Sequence, residues 1–161
     1  MSFDSKDAFQ DQIPDNHCFG CGPDNEAGLR IKSYWTKSGE AVCRFVPAPY
    51  HTAGPEYVLN GGIISTIFDC HSICTAWAAA CEAMGQPIND CDDICFATGS
   101  MAVKYLAPAA VDVPVELVAR IVTATDKKTE VYCTLDSRGT RCAEATIIAV
   151  RVLANWQHGR P

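Results

Sequence analysis

The chain reads as an α+β protein in which an antiparallel sheet of five or six strands wraps around one long central helix. Three observations predict this. The stretch from Asn60 to Met84 is apolar at close to helical spacing, at Ile63, Ile64, Ile67, Phe68, Ile73, Cys74 and Trp77. Two strand-like segments precede it, and three or four follow, joined by short turns. No second helix is available to cover a sheet from the other side, which favours antiparallel pairing around the one helix there is.

The 161 residues fit one domain with a substantial core. Residues 1–16 are polar and read as an arm with little regular structure, 17–154 as the domain, and 155–161 as a polar tail. Hydrophobic residues at 48% and charged residues at 20% are ordinary for a globular chain. The net charge of −6 and the lack of a basic stripe exclude a nucleic-acid partner from the expectation. A membrane span is set aside because the one apolar helix carries Asp69, His71 and Glu82. The N-terminus has no basic n-region and no apolar h-region, so a cytoplasmic protein is expected, with its 10 cysteines packed as reduced thiols.

In order, the turn-rich loop His17-Cys18-Phe19-Gly20-Cys21-Gly22-Pro23 comes first. Its Cys-x-x-Cys is half of a zinc site or a redox pair by spacing. A structural zinc site wants four ligands, and no second Cys-x-x-Cys follows. His17, Cys91 and Cys95 would complete one, but nothing in their spacing requires it, so no metal is expected and the loop reads as packed by its thiols. Leu29 to Trp35 alternates as a half-buried strand, Ser38-Gly39 turns, and Glu40 to Val46 returns. The connection from Pro47 to Leu59 is long enough to imply a functional loop. Gly61 and Gly62 open the helix, and Gly85 and Pro87 stop it. Asp90, Asp92 and Asp93 form an acidic turn, a cation site on one reading and a solvated loop on the plainer one. Strands then run from Phe96 to Pro108, from Val113, through Val131 to Leu135, and from Arg141 to Leu153. The last is apolar on both faces, which predicts a central position. The Phe96 strand would be an edge unless a symmetric dimer pairs with it.

Within the helix, Ser65, Asp69, Ser72 and Ala76 share a narrow, small and polar stripe in which only Asp69 is charged. An acid on so apolar a helix needs either a partner or a purpose. The plain alternative is a carboxylate satisfied by Ser65, Ser72 or backbone donors. Asn60 stands where a helix N-cap would, which is compatible with a place at a site. His71 projects to a different helix face from Asp69, which argues against an Asp–His pair.

Asn60-Gly61-Gly62 with an acid nine residues after the Asn resembles the hotdog-fold acyl-CoA thioesterases of the PaaI-like (phenylacetate-degradation-type) group. So do Cys18 to Asn25 with Gly28-Leu29, and Val103-Lys104-Tyr105-Leu106-Ala107-Pro108. Many relatives carry His where this chain has Asn60, and often a Gly near Ala110–Asp112. The resemblance implies a hotdog fold and hydrolysis of acyl-CoA to an acid and CoA. No cofactor is implied beyond the CoA of the substrate, and the chain pairs with itself as a homodimer or homotetramer. Thioester hydrolysis needs donors for a developing oxyanion and a base or nucleophile opposite them. The helix N-terminus offers the Gly61 N–H, with Gly62 as a second donor. Asp69 lies about 10 Å from Gly62 along the axis, at ~1.5 Å per residue. The family arrangement, two helices side by side across a dimer, would bring Asp69 of one chain to Gly61 of the other. Asp69 is then the general base for water, with direct attack as the second choice, and Thr98 matches a position where relatives place a hydroxyl. Ser65 and Ser72 are expected to line the substrate, and Lys104, Lys127 and Lys128 to meet CoA phosphates or to be plain solvated lysines. His51 reads as a satisfied loop histidine near the pocket. The alternatives are a hotdog hydratase or dehydratase, weakened by Asn60 in place of His, and a non-catalytic acyl-CoA binding or sensing protein.

Overall fold

The computed structural model describes residues 7–91 and 93–153. Its helix α1 spans Gly61–Ala83 and is sheathed by six antiparallel strands: β1 (Ser33–Trp35), β2 (Ala41–Phe45), β3 (Cys95–Tyr105), β4 (Val115–Ala124), β5 (Lys128–Ser137) and β6 (Thr140–Val152). Across the sheet the order is β1-β2-β4-β5-β6-β3. The apolar last strand is therefore interior, and the strand following the helix is an edge, as expected. Ala41, Cys43, Leu117, Val131, Cys133, Leu135 and Ile147 of the sheet share one core with Ile64, Ile67 and Phe68 of the helix. By length and composition alone α1 would suit a bilayer, yet 61% of its most apolar window is buried inside this fold.

Both helix ends are chemically specified. The Asn60 side-chain oxygen accepts from the N–H groups of Gly62 (2.7 Å) and Ile63 (3.3 Å), so two of the orphan donors of the first turn are satisfied. At the other end Gly85 takes a positive φ of 70°. Its N–H reaches the Glu82 carbonyl, and that of Gln86 reaches Cys81, a Schellman closure that a residue with Cβ would strain. Arg138 and Gly139, both with positive φ, make the two-residue hairpin between β5 and β6.

Three boundaries differ from the sequence reading. The first strand is only three residues long, because Arg30 sits at φ 52° and the N–H groups of Leu29 and Ile31 turn to the Phe19 and Gly20 carbonyls. β4 starts at Val115, since Pro114 has no N–H to give a ladder. The third concerns the supposed polar arm. Phe9–Gln12 form a 3-10 turn, and Ala8, Phe9, Gln10 and Ile13 are buried, with Phe9 against Trp35 at 5.1 Å between ring centroids. The packed unit thus begins well before residue 17. Residues 1–6, Asp92 of the acidic turn and the tail lie outside the described residues.

That N-terminal turn completes a buried polar chain. Gln10 Nε2 donates to Ser33 Oγ (2.7 Å), the Ser33 N–H donates to Gln10 Oε1 (2.8 Å), and Ser33 Oγ lies 2.8 Å from His71 Nδ1. All three residues are fully buried. Burial pushes the His71 pKa down to about 4, against a weaker upward pull from the Ala41 backbone, so the ring is neutral at pH 7. Replacing Gln10 with Ala would leave the Ser33 N–H without its acceptor in the core. The variant should lose about 1–3 kcal/mol of stability in urea unfolding; an unchanged midpoint would mean that the turn does not contribute to the core.

Candidate active site

Asp69 sits two turns into α1, half-buried, on the flank that faces β3. Thr98 reaches it from that strand and donates its hydroxyl to Asp69 Oδ1. A bulge follows immediately, at Gly99, where a Cβ would meet Val150 Cγ1 at 2.7 Å. Burial raises the Asp69 pKa above the usual carboxylate value, and the Thr98 hydrogen bond pulls it back. The carboxylate borders a cavity of ≈ 270 Å³, whose walls include Ile73, Trp77, Phe96 and the thiols of Cys18, Cys21 and Cys70. Phe96 also borders a second cavity of ≈ 370 Å³, whose walls include Ala76, Ala79, Ala80 and Ala83.

The helix N-terminus is arranged differently from the expectation in one respect. The Gly62 N–H is already spent on the Asn60 side chain, so it is not free to meet a ligand. Gly61, the first helical residue, has no acceptor for its N–H among the described residues. Asn60 itself is tied to the long connection, its N–H on the His51 carbonyl at 2.9 Å. His51 is a satisfied loop residue: its Nδ1 accepts from the Ala48 N–H (3.0 Å), and its ring stacks on Phe45.

The remaining expected residues disperse. Ser65 lies 2.7 Å from the Tyr105 hydroxyl, which also donates to the Gly61 carbonyl at 2.8 Å. Tyr105 thus braces the helix start from β3, a role that its sequence segment did not reveal. Ser72 is fully buried beside the Cys133 thiol of β5, away from the cavity wall. Lys104 pairs with Glu144 across the β3–β6 register, 3.3 Å apart, on the sheet face turned away from α1. His71 faces Ser33, as its position around the helix required, and takes no part beside Asp69.

The set His17, Cys91 and Cys95, which the spacing allowed but did not require, is not gathered at the loop. His17 is exposed, Cys91 lies near Cys81, and neither joins the Cys-x-x-Cys loop. Cys70 and Cys74 of α1 do. The signal for them was present as a thiol pair four apart, one face of a helix.

A long helix held in a six-stranded antiparallel sheet, with one acid opening on a cavity between them, defines a hotdog-fold protein. The chain belongs to the thioesterase superfamily, whose family profile matches residues 57–144. A thioesterase superfamily protein from Shewanella loihica is 31% identical, with a TM-score of 0.61, covering 76% of this chain and 90% of its own. A Ralstonia eutropha putative thioesterase, related to phenylacetic acid degradation, is 17% identical with a TM-score of 0.60, over 76% of this chain and 85% of that one. A Bacillus halodurans protein solved with CoA is 19% identical, with a TM-score of 0.58, over 77% and 75%. No curated protein sequence matches the chain.

The cap is the simplest part of this region to test. Asn60→Ala should reduce stability by about 0.5–2 kcal/mol by leaving two helix donors unsatisfied. Thermal or urea unfolding reads this directly, and a variant as stable as wild type would show that water replaces the amide at no cost.

Proposed function

We propose that the protein hydrolyses an acyl-CoA thioester to the free acid and CoA, with Asp69 as the general base. The observation that carries this reading is the carboxylate itself. It is desolvated enough to be basic, oriented by the Thr98 hydroxyl and open to a cavity, in a chain of the thioesterase superfamily. Asp69 takes a proton from water as the oxygen adds to the thioester carbonyl. The tetrahedral oxyanion meets a backbone N–H, and collapse expels the CoA thiolate, which recovers the proton. Desolvation favours the proton transfer because it raises the basicity of the carboxylate, while Thr98 fixes the lone pair that does the work.

The donor that fits is the Gly61 N–H, at the positive end of the helix dipole and without an acceptor among the described residues. It is too far along the axis to serve Asp69 of the same chain. We therefore assign it to the second subunit of a symmetric dimer, a coupling supported by the long edge of β3. On that strand Met101 and Tyr105 stand exposed on the helix-facing side, beside the site. The CoA found with the Bacillus halodurans relative supports a CoA thioester as substrate.

A thiol-release assay over a panel of acyl-CoAs tests the chemistry. Asp69→Asn and Asp69→Ala should lower kcat/KM by about 10²–10⁴-fold, and Thr98→Val by about tenfold, the worth of one hydrogen bond to a charged group. Release that survives both Asp69 substitutions would remove the acid from the mechanism, and tight acyl-CoA binding without any release in wild type would favour a sensor. Light scattering tests the assembly: the particle should weigh at least twice the 17.4 kDa of one chain. A monomer with full activity would refute a donor supplied by the partner.

A further inference from the structure

Four thiols converge where the Cys-x-x-Cys loop meets α1. The loop closes on itself through the Gly22 N–H, which donates to the Cys18 carbonyl at 2.8 Å. It lies so close to the helix that a Cβ on Gly20 would stand 2.3 Å from Cys70 Sγ and 3.0 Å from Thr66 Cγ2. A Cβ on Gly22 would stand 2.3 Å from the Asn16 carbonyl oxygen, so the turn tolerates no side chain at either position. On the helix, Cys70 and Cys74 are one turn apart and present both sulfurs to this loop. The sulfurs of Cys18, Cys21 and Cys70 all lie within 4.8 Å of one another, with Cys18 and Cys70 at 3.5 Å. Cys74, one helical turn on, neighbours Cys21 from just outside that group of three.

A tetrahedral zinc ion with Zn–S bonds of about 2.3 Å sets its sulfurs about 3.8 Å apart, a spacing that the observed separations bracket. A disulfide would use two of these sulfurs and bring them to about 2.05 Å, which leaves the other two unexplained. We propose that Cys18, Cys21, Cys70 and Cys74 hold one Zn²⁺ in a closed tetrathiolate site. Each thiol gives its proton to solvent as the Zn–S bond forms, and no electron changes hands. Four protein ligands leave no open position, so the ion is structural. It fastens the loop to the helix beside Asp69 and makes that side of the cavity rigid. Asn16, whose Nδ2 lies 3.9 Å from Cys21 Sγ, supplies a donor to one thiolate.

The test is metal content, read independently of thioester hydrolysis, so either proposal can fail without the other. Protein purified without chelator should carry about one zinc per chain by mass spectrometry of the metal. The Cys70→Ser/Cys74→Ser double variant should retain at least tenfold less. Cys142→Ser should keep the full amount, since its sulfur sits by the Pro108 and Thr140 carbonyls, outside the cluster. Cobalt added to stripped wild type should give the visible bands and sulfur charge-transfer absorption of a tetrahedral thiolate site, and far-ultraviolet circular dichroism confirms that each variant is folded. Should the double variant fail to fold, Cys21→Ala with the same two readouts replaces it. Zinc at background in folded wild type would overturn the proposal, as would zinc unaffected by the substitutions. So would a disulfide joining any two of the four cysteines in protein alkylated before denaturation.

Discussion

The constraint on which the structure turns is the burial of α1. A helix this apolar is sheathed along most of its length, so a polar group on it is answered only where something passing over it offers a partner, and the indole N–H of Trp77 finds none among the described residues. Thr75 answers itself, its hydroxyl on the His71 carbonyl at 2.7 Å. His71 Nδ1 is answered by Ser33, which Gln10 holds in turn, and this draws the N-terminal turn into the core. Asp69 is answered by Thr98 of the edge strand. The N-terminal turn, the first strand and the third are thus tied to the helix at two polar positions, His71 and Asp69, and the fold around them is largely the means of delivering those partners.

Helical geometry turns this into a division of labour. Each residue advances about 100° around the axis, so Asp69, Cys70 and His71 look into three different environments although they are adjacent in sequence. One opens on the cavity, one meets the thiols that form a wall of that cavity, and one faces a neutral hydrogen-bonded core. The carboxylate is therefore insulated from the imidazole two residues away, which is why an Asp–His pair never forms here. Phe96 extends the same logic along the axis. It borders both the cavity at Asp69 and the larger one beneath the alanines.

Much of this was legible in the sequence, and the misses share a cause. The limits of α1 followed from Asn60 and Gly85, and the special status of Asp69 from its being the one acid of its stripe. Ser65 and Ser72 fell on the same side of the helix by periodicity, but periodicity gives an angle and not a depth. Ser72 lies further along the axis, where β5 covers it, while Ser65 stays near the open end. Tyr105 and the partners of Cys18 and Cys21 depend on strand register and on where the loop lands, which no local pattern encodes. The buried turn at Phe9–Gln12 is too short to show a period at all, and its burial depends on a groove that exists only once the helix and first strands have met.

The capping of α1 by Asn60 has a chemical corollary. By occupying the Gly62 N–H, the amide leaves the helix start with a single backbone donor to offer. For the proposed hydrolysis, one donor gives modest stabilisation to a tetrahedral adduct, so turnover leans on how readily the departing group accepts charge. A thiolate leaves easily and an alkoxide or amide anion does not. The site would then discriminate by leaving group rather than by the shape of the acyl portion, and an oxygen ester matched to a good thioester substrate should be left almost untouched. Comparable rates for the two would mean that a second donor reaches the carbonyl from elsewhere.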